Sequence, residues 1–254
     1  MSDYFLSDVH LREDRPERGR RLVQFVERLA PGDRLLIAGD LCDFWMGSRG
    51  TPEDLAKDET LRALIAFREA GGSLTILPGN HDLWLVPFYE RTLGATILSE
   101  PALVESHGLR LHIVHGHLLG ARRKWKAAME SREFFRSFGA LPHTAARALD
   151  VVLEAKNRRG LAADEQRHLA VFREYADHLQ DGADIVVFGH VHRAVDLPGR
   201  PRLVVLGGWQ NRVSYLEIDA AGASFHIEGG SPEDGLASPF PVPPNRNDPS
   251  HASS

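Results

Sequence analysis

A short apolar run ends in an aspartate and a histidine in the stretch Tyr4-Phe5-Leu6-Ser7-Asp8-Val9-His10. The same pattern recurs along the chain, where further apolar runs each end in a polar, glycine-rich corner. These runs are Leu35 to Ala38, Leu74 to Leu77, Leu109 to Val114, Ile185 to Phe188 and Leu203 to Leu206. Short apolar runs bounded by turn residues predict buried β-strands.

Helix patterns separate the first three predicted strands. One places apolar residues on a single face between Leu22 and Leu29, and another runs from about Glu53 to Ala70 and ends at Gly71. A glycine directly after the last periodic residue is a common helix stop. Alternation of strand and helix predicts an α/β fold.

The pattern changes to consecutive strands after Thr96, with predicted hairpin turns near His107 and Ala221. This change predicts a mixed sheet or two sheets packed together. Between these strands, residues 118–180 have a helical pattern, which we interpret as a lid inserted into the core domain.

The predicted domain organisation follows from this insertion. Residues 1–117 and 181–228 form the core, and residues 118–180 form the helical lid, called the insertion below. Residues 229–254 are rich in Gly, Ser, Pro, Asn and Asp. They contain too little apolar surface to offset the entropy of ordering, so we expect a flexible tail.

Polar residues that commonly bind metals follow the predicted strands. They are Asp8, His10, Asp40, Asn80, His115, His190 and His192. The carboxyl ends of strands in open α/β sheets bind ligands, so we expect these side chains to converge. Carboxylate, imidazole and amide oxygen together suit Mn, Fe, Zn or Ni better than Mg or Ca.

Each of these short motifs occurs often by chance, but their order is specific. Asp8-x-His10, Gly39-Asp40, Gly79-Asn80-His81-Asp82, His115-Gly116-His117 and Gly189-His190-x-His192 resemble the ordered blocks of the calcineurin-like metallophosphoesterase superfamily. The resemblance implies a four-layer β-sandwich flanked by helices. It also implies two metal ions, and it assigns Asp8, His10 and His192 to one, Asn80, His115 and His190 to the other, and Asp40 to both.

The resemblance also suggests a catalytic histidine. His81 is expected outside the metal ligands and near the phosphate, where it protonates the leaving oxygen or, as imidazolium, stabilises negative charge. Asp82 is expected to orient its ring. Two cations about 3.5–4 Å apart lower the pKa of a shared water and neutralise charge on the attacked phosphate. The predicted activity is therefore metal-dependent hydrolysis of a phosphoester or pyrophosphate.

Charge is distributed unevenly along the chain. The whole sequence carries a net charge of -5, whereas residues 118–160 contain ten basic and four acidic residues, a net charge of +6. Trp125 and a cluster of Phe134, Phe135 and Phe138 accompany the basic residues. Such helices suit an anionic amphiphile. The alternative is that the charges face solvent and the aromatic residues form the core of the insertion.

A narrower resemblance concerns the UDP-2,3-diacylglucosamine diphosphatases of lipid A synthesis. It rests on the segments Ser7 to Leu11, Gly39 to Gly47, Ala140 to Pro142 and Leu206 to Trp209. It implies hydrolysis of UDP-2,3-diacylglucosamine to UMP and the acylated sugar 1-phosphate, with Mn and a helical lid. It also implies peripheral contact with the cytoplasmic face of the inner membrane.

The candidate substrate-binding residues in the insertion are Arg122, Arg123, Lys156, Arg158 and Arg159. Two positions depart from the best-known branch of this family, which has Arg in place of His81 and Asp in place of His117. These departures leave open another small-molecule phosphodiesterase or nucleotide pyrophosphatase with a helical cap. A non-catalytic scaffold has no use for a complete ligand set, and the acidic total disfavours a nuclease.

The remaining sequence features concern location. The single cysteine, Cys42, is expected as a small core residue in a reducing compartment. The first residues lack a basic and apolar signal pattern, and no apolar run approaches eighteen residues. These features predict a cytoplasmic protein whose contact with a membrane is limited to surface association. They predict no oligomeric state.

Overall fold

The structure is a computed structural model that describes residues 1–49, 51–120, 130–158, 161–180, 182–210 and 212–229. Within helices, the side chains of residues 47–49, 52, 154–158 and 161–164 lie outside this description. The predicted tail at 229–254 lies outside it except for residue 229.

The helices and strands alternate in the first third of the chain, as predicted. The helices are α1 (Pro16–Val26), α2 (Phe44–Arg49), α3 (Pro52–Leu55), α4 (Glu59–Glu69), α5 (Val86–Phe88), α6 (Arg132–Gly139), α7 (His143–Arg158) and α8 (Leu161–Asp177). The strands are β1 (Asp3–Leu6), β2 (Arg34–Ile37), β3 (Ser73–Ile76), β4 (Thr96–Ile97), β5 (Ala102–Ser106), β6 (Leu109–Val114), β7 (Ile185–Phe188), β8 (Val195–Leu197), β9 (Arg202–Val205), β10 (Val213–Asp219) and β11 (Gly222–Glu228).

The strands of the described residues form two sheets. Six strands follow the order β11-β10-β1-β2-β3-β4, and five follow the order β5-β6-β7-β9-β8. Strands β1, β2 and β3 are parallel neighbours, as are β6, β7 and β9, while the hairpins β5-β6 and β10-β11 are antiparallel. Of the two predicted arrangements, a mixed sheet or two sheets packed together, the structure has the second, and both of its sheets are mixed.

Three apolar clusters give the fold its layers. Residues such as Phe5, Ile113 and Val187 from both sheets pack between them. The outer face of the first sheet packs against helices that include Leu22 of α1. The outer face of the second sheet packs against α8, where the ring of Phe172 stacks on the ring of Phe188 from β7. The layers are therefore helix, sheet, sheet and helix, which confirms the predicted fold class.

The helix predicted from about Glu53 to Ala70 is interrupted. The structure has α3 and then α4, and Asp58 lies between them with its side chain accepting hydrogen bonds from the backbone N–H of Thr60 and Leu61. An aspartate at this position satisfies donors that a helix start leaves free. The prediction of one continuous helix was wrong because the apolar periodicity continues across this cap.

The insertion is helical where the structure describes it. Its helix α6 packs on α2, where the rings of Phe44 and Phe138 have centroids 4.7 Å apart. Its last helix, α8, packs on the second sheet through Leu169, Phe172 and Ala176. The division into core, lid and tail stays a prediction. Among the helices of the described residues, none has both the length and the apolar character that crossing a membrane requires.

Candidate metal centre

The predicted metal-binding residues all lie just beyond the carboxyl ends of strands. In the first sheet Asp8, Asp40 and Asn80 follow β1, β2 and β3, and in the second sheet His115 follows β6 while His190 and His192 follow β7. Parallel pairing brings these ends to one edge of the sandwich. With His10, these residues are called the ligand cluster.

Asp8, His10 and His192 form the first part of the ligand cluster. The Nε2 atoms of His10 and His192 are 3.0 Å apart. Asp8 Oδ1 lies 3.6 Å from Nε2 of His10 and 3.7 Å from Nε2 of His192. This oxygen is buried and has no hydrogen-bond partner among the described residues. Because an unpaired buried carboxylate oxygen is costly, a cation at this point would stabilise the arrangement.

The second part contains Asp40, Asn80, His115 and His190. Nε2 of His115 lies 3.3 Å from Oδ1 of Asn80 and 3.4 Å from Oδ2 of Asp40. Asp40, His115 and His190 offer ligand atoms that all lie within 4.8 Å of one another. Oδ2 of Asp40 is also 3.8 Å from Nε2 of His10 in the first part. Asp40 therefore lies between the two parts, where a bridging carboxylate would be.

Outer contacts orient these side chains. Nδ1 of His115 donates to the carbonyl oxygen of Ala38 at 2.9 Å, so its Nε2 is left without a proton when the ring is neutral. Oδ2 of Asp8 accepts from the backbone N–H of His190 at 2.9 Å. Histidine ligands in proteins usually donate their second ring N–H to a carbonyl or carboxylate. The donor set and these contacts fit a site for two divalent ions, which the fold also implies.

The backbone around the ligand cluster is strained. Asp8, His10, Asp40 and His190 have φ values of 54°, 51°, 53° and 62°. Each such residue costs on the order of 1–3 kcal/mol and persists where the surrounding structure enforces it. A Cβ atom at Gly79 would lie 2.1 Å from Oδ1 of Asp40, so glycine is required there. These loops hold the side chains together at a cost to stability.

Electrostatic interactions within the cluster are strong. Burial raises the pKa of Asp40, but the charges of His115 and His81 offset this and hold it well below its ordinary value. Burial lowers the pKa of His115, but Asp40 outweighs this and raises it to about 10. Burial and the charge of His10 lower the pKa of His192 to about 4. The carboxylates that hold a proton on His115 would equally attract a metal cation, whose binding displaces that proton.

His81 lies beside the ligand cluster. Its ring centroid is 4.8 Å from that of His10, and its backbone N–H donates to Oδ1 of Asp40 at 2.9 Å. Its Nδ1 accepts a hydrogen bond from the backbone N–H of Phe44 at 3.2 Å. The proton of the neutral ring is then on Nε2, so the ring has a donor to offer to a substrate oxygen.

Asp82 does not orient the ring of His81. Its Oδ2 accepts from the backbone N–H of Leu41 at 2.7 Å and from the hydroxyl of Tyr89 at 2.8 Å, and its Oδ1 accepts from the N–H of Gly79 at 2.9 Å. The expectation for Asp82 was wrong because its carboxylate points into the protein. It joins the loop after β2 to the loop after β3. Cys42, beside it, is fully buried as expected.

Glu100 is a residue near the ligand cluster that was not predicted from the sequence. Its Oε2 accepts from the backbone N–H of His115 at 2.7 Å, and its Oε1 lies 3.5 Å from Nδ1 of His117. The ring centroids of His117 and His115 are 5.3 Å apart. Glu100 lies between the two-residue strand β4 and β5, and the apolar pair Ile97-Leu98 before it is too short to predict a strand, so no local signal identified it. Asp43, by contrast, falls within a quoted motif, and its Oδ2 is 3.8 Å from Nδ1 of His10.

The five predicted substrate contacts cannot be placed in the site. Arg122, Arg123 and Arg159 lie outside the described residues. Lys156 and Arg158 belong to α7, but their side chains are not among those that the structure describes. Their role stays a prediction.

A fold with two mixed sheets and a cluster of carboxylates and histidines at their common edge defines a metal-dependent phosphoesterase. The sequence profile described as calcineurin-like phosphoesterase matches residues 4–194. The chain belongs to this family.

Curated relatives match most of the chain. A UDP-2,3-diacylglucosamine hydrolase from Aeromonas salmonicida is 32% identical over 85% of this chain and 89% of its own length. A protein of the same name from Nitrosococcus oceani is 30% identical over 89% of this chain and 94% of its own length. The name is shared by a relative from Haemophilus influenzae, which is 29% identical over 86% of this chain and 95% of its own length. The narrower resemblance stated from the sequence is thus confirmed.

Proposed function

We propose that this protein hydrolyses the pyrophosphate bond of UDP-2,3-diacylglucosamine and releases UMP and 2,3-diacylglucosamine 1-phosphate. The observation that carries the proposal is the agreement in name of relatives that match nearly their whole length. The ligand cluster supports it, because it offers the carboxylates and imidazoles that phosphoester hydrolysis with two metal ions requires.

The proposed metal ions are manganese. Asp8, His10 and His192 would hold one, Asn80, His115 and His190 would hold the other, and Asp40 would contact both. Mixed oxygen and nitrogen ligands suit Mn, with Fe, Zn or Ni as the alternatives. When bound, two such ions lower the pKa of a water and neutralise charge on phosphorus.

The chain's own residues then have distinct tasks. Asp40 keeps the two parts of the ligand cluster together. His81 donates from Nε2 to a phosphate oxygen or to the leaving oxygen, because its Nδ1 already accepts a hydrogen bond from the backbone N–H of Phe44. Asp82 holds the loop that carries Asn80 against the loop that carries Asp40.

The insertion is the proposed site for the acylated sugar. Aromatic residues of α2 and α6 adjoin the ligand cluster, and Phe44, which contacts His81, has its ring 4.5 Å from that of Phe135. Trp84 is partly exposed beside the same rings, 6.3 Å from Phe135. Apolar surface next to a phosphoesterase centre suits a substrate with acyl chains. The basic residues of the insertion would serve its phosphates and a peripheral contact with the membrane.

The deciding assay compares UMP release from UDP-2,3-diacylglucosamine with release from the same sugar nucleotide without acyl chains. Manganese-loaded protein is used, and Asp40→Ala supplies the inactive reference. We expect hydrolysis of the acylated substrate to be strongly preferred, since the apolar surface contributes binding free energy only for that substrate. Equal rates would remove the lipid from the proposal.

His81 and His117 favour one second candidate, a nucleotide pyrophosphatase or other small-molecule phosphodiesterase with a helical cap. Both positions differ from the best-known branch of the diphosphatases. Hydrolysis of unacylated nucleotide diphosphates, with no gain from acyl chains, would identify this activity in the same assay.

A further inference from the structure

A group of charges around a buried arginine joins the insertion to the loops of the ligand cluster. Its centre is Arg12, which is 6% exposed. The guanidinium donates from Nε to Asp14 at 2.9 Å, from Nη1 to Asp43 at 3.1 Å and from Nη2 to Asp150 at 2.6 Å. Arg147 of α7 donates to Asp14 at 3.0 Å. These five residues are called the Arg12 network.

The inner end of the network reaches the ligand cluster through Asp43. Oδ1 of Asp43 accepts from Arg12 and also from the backbone N–H of Trp45 at 3.0 Å, at the start of α2. Its Oδ2 faces Nδ1 of His10 at 3.8 Å. Asp43 therefore has contacts with Arg12, with α2 and with a predicted metal ligand.

The outer end of the network lies on α7. Asp150 is 6% exposed, in a helix whose neighbouring Val151 and Val152 face solvent. Arg147 lies with its guanidinium 4.6 Å from the ring centroid of Trp45, which belongs to α2. Ala146 packs in the same aromatic cluster as Trp45 and Phe138. Among the described side chains, helix α7 thus meets the core through apolar and aromatic contacts with α2 and through the buried ion pair of Asp150 with Arg12.

Such a pair specifies position more than it adds stability. Burying a carboxylate costs free energy that only a well-placed partner offsets. Arg12 presents a rigid fork, and its two Nη atoms both contact Asp150, at 3.3 and 2.6 Å. A shift of α7 by one residue would turn Asp150 away and remove these contacts from the buried Arg12. The network is therefore satisfied in one placement of the helix.

We infer that Arg12 is a positioning residue that fixes helix α7 relative to the ligand cluster and thereby sets the affinity for substrates long enough to reach the insertion. A small diester contacts only the cluster and is insensitive to this placement. The inference deepens the proposed function and rests on it for the identity of the long substrate.

Asp150→Asn is the first test, because it removes the α7 partner while Arg12 keeps Asp14 and Asp43. We expect kcat/KM for UDP-2,3-diacylglucosamine to fall about tenfold, mainly through KM, since misplacing a substrate contact is costly. Hydrolysis of bis(p-nitrophenyl) phosphate should change less than about twofold. The matched control is Asp177→Asn, which removes an exposed carboxylate 3.8 Å from Arg173 and should leave both substrates unaffected.

A double-mutant cycle with Arg12→Gln separates a shared role from two independent ones. If Arg12 and Asp150 act through one another, adding Asp150→Asn to Arg12→Gln should lower kcat/KM for the long substrate no further. If the losses in kcat/KM of the two single variants multiply in the double variant, the inference is overturned. Equal losses on both substrates in Asp150→Asn would also overturn it, because the network would then act only on the metal loops.

Hydrogen exchange of the full chain tests the placement without any substrate. In Asp150→Asn the amides of α7 should exchange faster, while those of α1 stay as they are. Unchanged exchange in α7 would overturn the inference. Wild-type protein that releases no UMP would refute the proposed substrate alone, because the exchange of α7 still decides whether the network fixes the helix.

Discussion

The ligand cluster and the insertion meet at the same site but depend on different contacts. The cluster lies on loops that leave paired parallel strands, and residues such as Asp8, Asp40 and His115 are almost fully buried. The insertion is joined to this region by the aromatic residues of α6, by Ala146 and by the Arg12 network. On the proposed function, we therefore expect the sandwich to determine the chemistry and the insertion to determine the choice of substrate.

The two regions also differ in how their contacts affect the stability of the protein. The cluster places four residues at positive φ, which lowers the stability of the protein. The aromatic contacts of the insertion are ordinary packing. Substitutions in the first region should reduce hydrolysis of every substrate, and those in the second should reduce it only for substrates that reach the insertion.

The largest expected effect is that of Asp40→Ala. The side chain lies between the two parts of the cluster, so its removal should lower hydrolysis of bis(p-nitrophenyl) phosphate by roughly a thousandfold or more. Metal content measured on the same sample should fall as well. Asp177→Ala, at an exposed carboxylate, is the control. Wild-type activity in Asp40→Ala would contradict the assignment of the whole cluster.

A smaller effect is expected from His81→Ala. Loss of a proton donor should lower kcat by about a hundredfold while both metals stay bound. His178→Ala, at an exposed histidine near the end of α8, is the matched control. If the loss of kcat is larger for esters with poor leaving groups, His81 protonates the leaving oxygen. If the loss is the same for all leaving groups, His81 stabilises negative charge on the phosphate. Loss of metal together with activity would make His81 a ligand.

Gly79→Ala tests whether the cluster depends on its close packing. The added Cβ would lie 2.1 Å from Oδ1 of Asp40 and must displace it. We expect about a tenfold loss of manganese affinity, measured by titration calorimetry, as for changes beside a metal ligand. Gly108→Ala is the control, because nothing lies within 4 Å of its Cβ, although φ is +81°. It should cost about 1 kcal/mol of stability and no metal affinity.

The smallest effect on the small diester is expected from Phe138→Ala in the insertion. Its buried ring contacts Phe44 and Trp45, so the change opens a cavity worth about 3–5 kcal/mol of local packing. KM for the acylated substrate should rise, while hydrolysis of the small diester stays within about twofold.

Phe67→Ala is the control for Phe138→Ala, because it opens a cavity on α4, in the cluster under the first sheet. It should lower the melting temperature and leave KM unchanged. A similar loss on both substrates in Phe138→Ala would abolish the distinction between the two regions.

The sequence predicted the positions of the side chains in the ligand cluster, because the signals for those positions are local. An apolar run fixes a strand, and the polar residue directly after it fixes a position at the sheet edge. The predicted runs from Leu109 to Val114 and from Ile185 to Phe188 coincide with β6 and β7. Asp40 and His190 therefore needed no knowledge of long-range packing to be placed.

The insertion was harder to predict because its contacts join distant parts of the chain. Arg12 and Asp150 are 138 residues apart, and neither stands in a pattern that indicates the other. Asp82 illustrates the same limit within a motif, because its partner Tyr89 was not recognisable from spacing. Helical periodicity predicted the helices around these residues, but their side-chain partners depend on the topology.

The burial of Cys42 has a practical consequence. It is the single cysteine of the chain, it is fully buried, and burial together with the charge of Asp82 raises the pKa of its thiol well above the ordinary value. A thiol that stays protonated and inaccessible reacts slowly with maleimides or methanethiosulfonates. A cysteine introduced at Val152, which is 60% exposed on α7, would therefore be labelled selectively. A spin label at that point would report movements of the helix against the sandwich without any background from the native protein.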